Sequence, residues 1–257
     1  MKKTVVAKDK AHLKKLIAGE IRRHGKRCDL NFIDISNVED MSGLFYESTF
    51  NGDISQWDVS NVTDMNHMFC GCNFNGDISQ WDVSNVKDMS YMFAESKFKG
   101  DISEWDVSNV EDMNGLFRSS DFNGDISDWN VSNVEDMSVM FSQSVFNDDI
   151  SQWDVSNVKD MSYMFAESKF NGDISDWDVS SVRNMTYMFF RSNFSGDISK
   201  WRVYEVTDMS KMFLKSNIPF RVQTILLQKC DGTYDGDDEL DEAFKWSSKY
   251  KKIKNWF

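Results

Sequence analysis

Apolar and polar positions along this chain return in blocks of 24 residues. Trp57, Trp81, Trp105, Trp129, Trp153, Trp177 and Trp201 keep that interval. Phe50, Phe74, Phe98, Phe122, Phe146, Phe170 and Phe194 form a second column, and Asp53 to Asp197 a third. A weaker copy precedes them, with Asp29, Ile33, Val38, Met41 and Phe45 in register. Eight copies result, the last incomplete after about Ser216. Self-similarity at a short fixed period predicts a solenoid, in which each copy buries its apolar face only against its neighbours.

One copy runs from Asp53 to Gly76 as DISQWDVSNVTDMNHMFCGCNFNG. Its first half, Ile54-x-x-Trp57-x-Val59-x-x-Val62, matches the apolar spacing of leucine-rich repeats. Trp57 and Val59 alternate around Asp58, which predicts a short half-buried strand. Asp64 then reads as an N-cap. Met65, Met68 and Phe69 follow at i, i+3, i+4, which predicts a turn of helix. Asn75-Gly76 turns the chain back. The expected fold class is an α/β solenoid, leucine-rich-repeat-like, with eight coils of short strand and helical turn. The expected organisation is an N-terminal cap over residues 1–28, a solenoid over 29–217 and a C-terminal cap over 218–257. In the first cap, Thr4–Ala7 reads as strand and about 10–24 as a helix capped by Asp9, with Leu13, Ile17 and Ile21 on one face and Gly25 closing it.

The run FNGDISQWDVSNVTDM (Phe50–Met65), returning as FNGDISDWDVSSVRNM (Phe170–Met185), resembles the BspA-like leucine-rich repeats of bacterial proteins. These include the DUF285 repeats of mycoplasma surface lipoproteins. The resemblance covers residues 28–217 and implies the solenoid. It also implies a surface adhesin as an alternative role, since family adhesins bind host proteins.

Charge changes the picture next. Residues 1–27 hold ten Lys or Arg against two acids, a net of +8. Basic and acidic residues cancel over 219–257, so of the overall −13 the stretch 28–218 carries −21. Such a body repels phosphates, so neither direct nucleic-acid binding nor a membrane partner is expected. No long apolar run suggests a membrane span, and Met1–Lys10 shows no apolar signal region, so a cytoplasmic location is expected, with the cell surface if an export signal was removed. Four scattered cysteines fit a reducing compartment.

Candidate chemistry is sparse. Three histidines stand in unrelated settings, and no phosphate-loop, dinucleotide or metalloprotease motif occurs, so no enzyme and no cofactor are expected. Cys72 occupies a column that is otherwise Ser and reads as a small packed residue. The Asp53 column reads as turn-forming, its carboxylates accepting backbone N–H groups.

The solvent side of the strand is a better candidate. Asp34, Asp58, Asp82, Asp106, Asp154 and Asp178 recur there, joined by Glu104, Asp128 and Asp176 from the neighbouring column. Like charges this close are unfavourable, so a partner-binding role is expected for these nine, gripping a basic protein surface. Such a module would suit an inhibitor or immunity-type protein. A second alternative is an antagonist imitating the field of DNA. Tyr91, Tyr163 and Tyr187 form a secondary candidate interface. Asp231, Asp235 and Glu242 lie at calcium-loop spacing, against a solvated loop as the plainer reading; no other metal ligands are expected. The pattern leaves the oligomeric state open.

Overall fold

The computed structural model describes residues 3–230, 232 and 233. Strand β1 (Val5–Val6) pairs in parallel with β2 (Ile33–Asp34). Between them runs helix α1 (Lys10–His24), and helix α2 (Phe220–Lys229) follows the repeats. The Asp9 carboxylate caps α1 by accepting the His12 N–H at 2.7 Å, and Gly25 closes it at φ +82°. Leu13 and Ile17 face inward and join the core at its N-terminal end. Leu226 and Leu227 of α2 do so at the other.

Apart from β2 in the first copy, the repeats between the helices contain neither the strand nor the helical turn that their pattern predicts. Trp57–Val59 is not a strand, and Met65–Phe69 is not a helix. Each 24-residue copy is a chain of tight turns. Trp57 N–H donates to the Ile54 carbonyl at 3.1 Å, and Val62 N–H to Val59 at 2.8 Å. Met68, Cys70 and Cys72 donate in the same way to Met65, His67 and Phe69. Successive three-residue steps place Met65, Met68 and Phe69 inward together, which is how turns reproduce a helical spacing.

The intervening N–H groups point along the stack. Met65, His67, Phe69 and Gly71 donate to the carbonyls of Asp88, Ser90, Met92 and Ala94 at 2.8–3.0 Å. The pattern returns one copy later, from Met89 onward. A parallel β-ladder would send N–H and C=O of one residue to the same neighbour. Here the carbonyls of Met65, His67 and Phe69 close turns instead, so bridges are isolated and recur at Asp40, Asp64, Asp88, Asp112, Asp136 and Asp160. The geometry requires a left-handed backbone at two columns. His67, Tyr91, Tyr163 and Tyr187 lie at φ +53° to +56°, where Gly43 and Gly115 serve other copies.

The interior is built from aromatic stacks. Phe45, Phe69, Phe93 and Phe117 follow one another at 5.6–5.9 Å between ring centroids, within 8° of parallel. Phe50, Phe74, Phe98 and Phe122 run beside them at 6.2–6.3 Å. Offset stacking suits the ring quadrupole and adds to area burial. Each tryptophan does more than fill space. Trp129 Nε1 donates to the Ile102 carbonyl at 3.0 Å, and Trp153 Nε1 to Ile126 at 3.0 Å. The same bond joins Trp57 to Leu30 and Trp201 to Ile174. The invariant Trp thus ties each coil to the preceding one.

Cys72 replaces the column serine in contact as well as in size. Its Sγ accepts the Phe74 N–H at 3.4 Å and donates to the Phe50 carbonyl at 3.6 Å. Ser96 Oγ accepts the equivalent Phe98 N–H at 3.3 Å. Burial pushes the Cys72 thiol up to about 11, so it is a poor thiolate donor. Cys72→Ser is expected to leave stability unchanged or raise it by about 1 kcal/mol at most, because oxygen makes the better bond. Thermal melting checks this.

Candidate partner-binding face

Three aspartate columns shape the surface, and all three form turns. Asp53 Oδ1 accepts the Ser55 N–H at 2.9 Å, Asp58 Oδ1 the Ser60 N–H at 3.2 Å and Asp64 Oδ1 the Asn66 N–H at 2.9 Å. The first bond is the one expected of that column. The second gives the Asp58 column a structural role beside the partner-binding one expected of it. A short side-chain acceptor two residues before the donor closes an Asx-turn. The third replaces the expected helix N-cap.

Asp34, Asp82, Asp106, Asp154 and Asp178 repeat the Asp58 bond, to Ser36, Ser84, Ser108, Ser156 and Ser180, at 3.0–3.1 Å. In the copy between Asp106 and Asp154 the residue is Asn130, and its Oδ1 accepts the Ser132 N–H at 3.2 Å. A neutral amide therefore closes the turn. The turn takes a neutral acceptor oxygen as readily as a charged one, and in the last copy, where Arg202 stands in this column, Val206 N–H still donates to the Val203 carbonyl at 3.2 Å.

The structure brings the nine candidate acids onto one turn-built face. Asp34 is half-buried; Asp58, Asp82, Asp106, Asp154, Asp178, Glu104, Asp128 and Asp176 are exposed. Of the nine, Asp176 has a cation within 4.0 Å, Lys200 Nζ at that limit, and the others have none among the described residues. Several of the body's other cations pair elsewhere, as Lys87 does with Glu111 at 3.1 Å and Lys159 with Glu135 at 2.6 Å, while Arg202 ends the column next to Asp178. Hydrogen bonds from the Ser108 and Ser180 side chains and N–H groups hold Asp106 and Asp178 below the usual carboxylate range, and the Ser36 N–H does so for Asp34. These three stay charged through the neutral range.

Beside this face a cavity of about 410 Å³ is lined by Asn147, Asp148, Asp149, Gln152, Asp173 and Asp176. Asp148 stands where other copies have glycine. Among the described residues no cluster of three or more His, Cys, Asp or Glu side chains is placed to hold a metal ion. Asp231, Asp235 and Glu242 lie outside the described residues. Among the described residues, no helix is long and apolar enough to cross a membrane.

The Asp64 column behaves differently. Burial pushes the Asp112 carboxyl above its usual range, against the Asn114 N–H bond, with Asp88 and Asp136 adding to the rise. A carboxyl raised in the folded state contributes most when protonated. Its contribution is present below the ordinary carboxylate pKa and lost as pH rises through the folded value. Asn184 already closes the equivalent turn, accepting the Thr186 N–H at 3.0 Å. Asp112→Asn is therefore expected to stabilise the protein by about 0.5–1 kcal/mol at neutral pH. That gain should vanish below about pH 4, measured by denaturant melts across pH.

The tyrosines divide. Tyr163 and Tyr187 stack at 4.8 Å, with Lys211 Nζ 5.6 Å from the Tyr187 ring centre. Tyr91 stacks on His67 at 4.8 Å instead, and its ring crosses Gly115, so close that an added Cβ would lie 2.4 Å away. Gly115 and Val139 separate the two groups. Sequence reasoning missed that this column needs a left-handed backbone. Gly43 and Gly115 were the signal, obscured by the tyrosines between and beyond them.

Stacked turns, buried aromatic columns and a terminal helix at each end define a repeat protein. The family model described as "Mycoplasma protein of unknown function, DUF285" matches residues 18–123, 94–191 and 143–221, and the chain belongs to that family. No curated protein and no solved structure matches it.

Proposed function

We propose that this protein is a non-enzymatic binding module whose acidic face recognises a basic surface on a protein partner. The observation that carries the reading is Asn130. It closes the same turn as Asp58, Asp82, Asp106, Asp154 and Asp178 without a charge. Five copies therefore carry charge that local structure does not demand, on an exposed face with few cations nearby. Unscreened like charges are costly unless a partner offsets them, and they speed encounter with a basic surface. Inhibition of a basic protein, as by an immunity-type antagonist, is the use that best fits such a face.

Affinity enrichment from the source cell's lysate at low and high salt, read by mass spectrometry, tests this. A basic protein retained at low salt, released at high salt and lost on Asp82→Lys, Asp106→Lys and Asp154→Lys is the expected result. Retention that ignores those substitutions would overturn the reading.

A further inference from the structure

Two separate surfaces hold cations and carboxylates that have no ion pair among the described residues. The inward face of α1 carries Leu13 and Ile17, and the opposite face carries Lys14, Lys15 and Arg22, all exposed. Lys8, Lys26 and Arg27 extend that basic surface beyond the helix ends. None of these six has an ion pair among the described residues. Lys10 is different, pairing with Asp40 at 2.8 Å and bonding Ser42, which fastens the cap to the first repeat. The basic face of α1 is thus turned away from the stack it caps, while the acidic columns run along the side of that stack. Within one molecule the two do not meet.

We infer that the exposed basic face of α1 docks on the acidic face of a second copy of this chain. This rests on the reading of the acidic face as a receptor for cations, and names its partner. Charge complementarity argues for it: a +8 segment and a −21 segment are present in every molecule at equal concentration. Spacing agrees, since Lys15 and Arg22 lie two helix turns, about 10.5 Å, apart and carboxylates of every second coil about 9.6 Å apart, so the two cations can face carboxylates two coils apart. A nucleic acid is the weaker occupant, because the acidic body repels a polyanion extending past the cap. Two molecules can make this contact twice, each cap on the other's side, which closes a dimer.

Sedimentation velocity tests the inference. In about 20 mM NaCl the mass of the wild-type protein should approach roughly twice the monomer value, and it should return to monomer in about 500 mM NaCl. Reversal of the cap (Lys14→Glu, Lys15→Glu, Arg22→Glu) should give a monomer, as should reversal of the side (Asp82→Lys, Asp106→Lys, Asp154→Lys). Mixing the two reversed proteins should restore a 1:1 complex, which misfolded variants would not do. Wild-type protein that stays monomeric at low salt, or a cap-reversed protein that associates as the wild type does, overturns the inference. A duplex DNA fragment shifted by a monomeric wild type, and not by the cap-reversed protein, overturns it in favour of a polyanion. Decalysine separates the two levels: if it binds the monomeric wild type and not the side-reversed protein, the acidic-face reading stands and self-docking fails. If it does not bind, both fail.

Discussion

Trp129→Ala should lower the stability of this protein by about 3–5 kcal/mol, the range for deleting a buried tryptophan. The indole is 3% exposed, so its loss leaves a cavity in mid-stack. Its Nε1 also carries the bond to the Ile102 carbonyl at 3.0 Å. Losing that bond leaves the Ile102 carbonyl with one donor, the Trp105 N–H at 3.2 Å. Trp129→Phe separates the two effects. It keeps most of the apolar volume, loses the donor and should cost about 0.5–1.5 kcal/mol, the net worth of one hydrogen bond, since the Ile102 carbonyl keeps the Trp105 N–H. Chemical denaturation of the three proteins checks the order wild type, Phe, Ala. Because a repeat contacts only its neighbours, the loss should also weaken protection of adjacent coils against hydrogen exchange before distant ones.

Gly52→Ala should cost about 3 kcal/mol, at the upper end for forcing atoms into a packed core. An added Cβ would lie 2.1 Å from the Cys28 carbonyl oxygen and 2.7 Å from the Phe50 ring, and Phe50 is itself buried. The carbonyl belongs to backbone and cannot rotate aside. Gly25 is the control. Its φ of +82° favours glycine, but nothing lies within 4 Å of an added Cβ. Gly25→Asn should cost about 1–3 kcal/mol, since φ +82° with ψ 175° is a backbone region that essentially only glycine adopts. Thermal melting of both variants compares a steric requirement with a purely conformational one.

The repeat was legible because the core is stacked. Phe, Trp and Met columns cannot drift when each ring packs on its counterpart one copy away. The elements inside a copy were not legible, for a related reason. Trp57-Asp58-Val59 alternates in and out, as a strand does, because one turn ends at Trp57 and the next begins at Val59. Met65, Met68 and Phe69 take helical spacing because turns advance by three residues with i→i−3 bonds. Local periodicity cannot distinguish these cases; the Asp-x-Ser and Asp-x-Asn pairs that close the turns can. Helix α1 was readable from Asp9 and Gly25 because its caps follow ordinary helix chemistry. Of the candidate face, the residues were readable and their second role was not. The same Asp58 oxygen that could meet a partner also holds its own turn, and Asn130 is the one copy that separates the functions.

That separation supplies the most direct test. Asp82→Asn, Asp106→Asn and Asp154→Asn in one chain keep every turn acceptor and remove three charges from the face. Melting and decalysine titration of this protein, beside the wild type, form one measurement. The account predicts a stability change within about 0.5 kcal/mol per site, typical of surface changes away from special features, with salt-sensitive binding weakened at least about tenfold. A large loss of stability would show that the charge belongs to the fold. Unchanged binding would show that the acidic face is not the receptor.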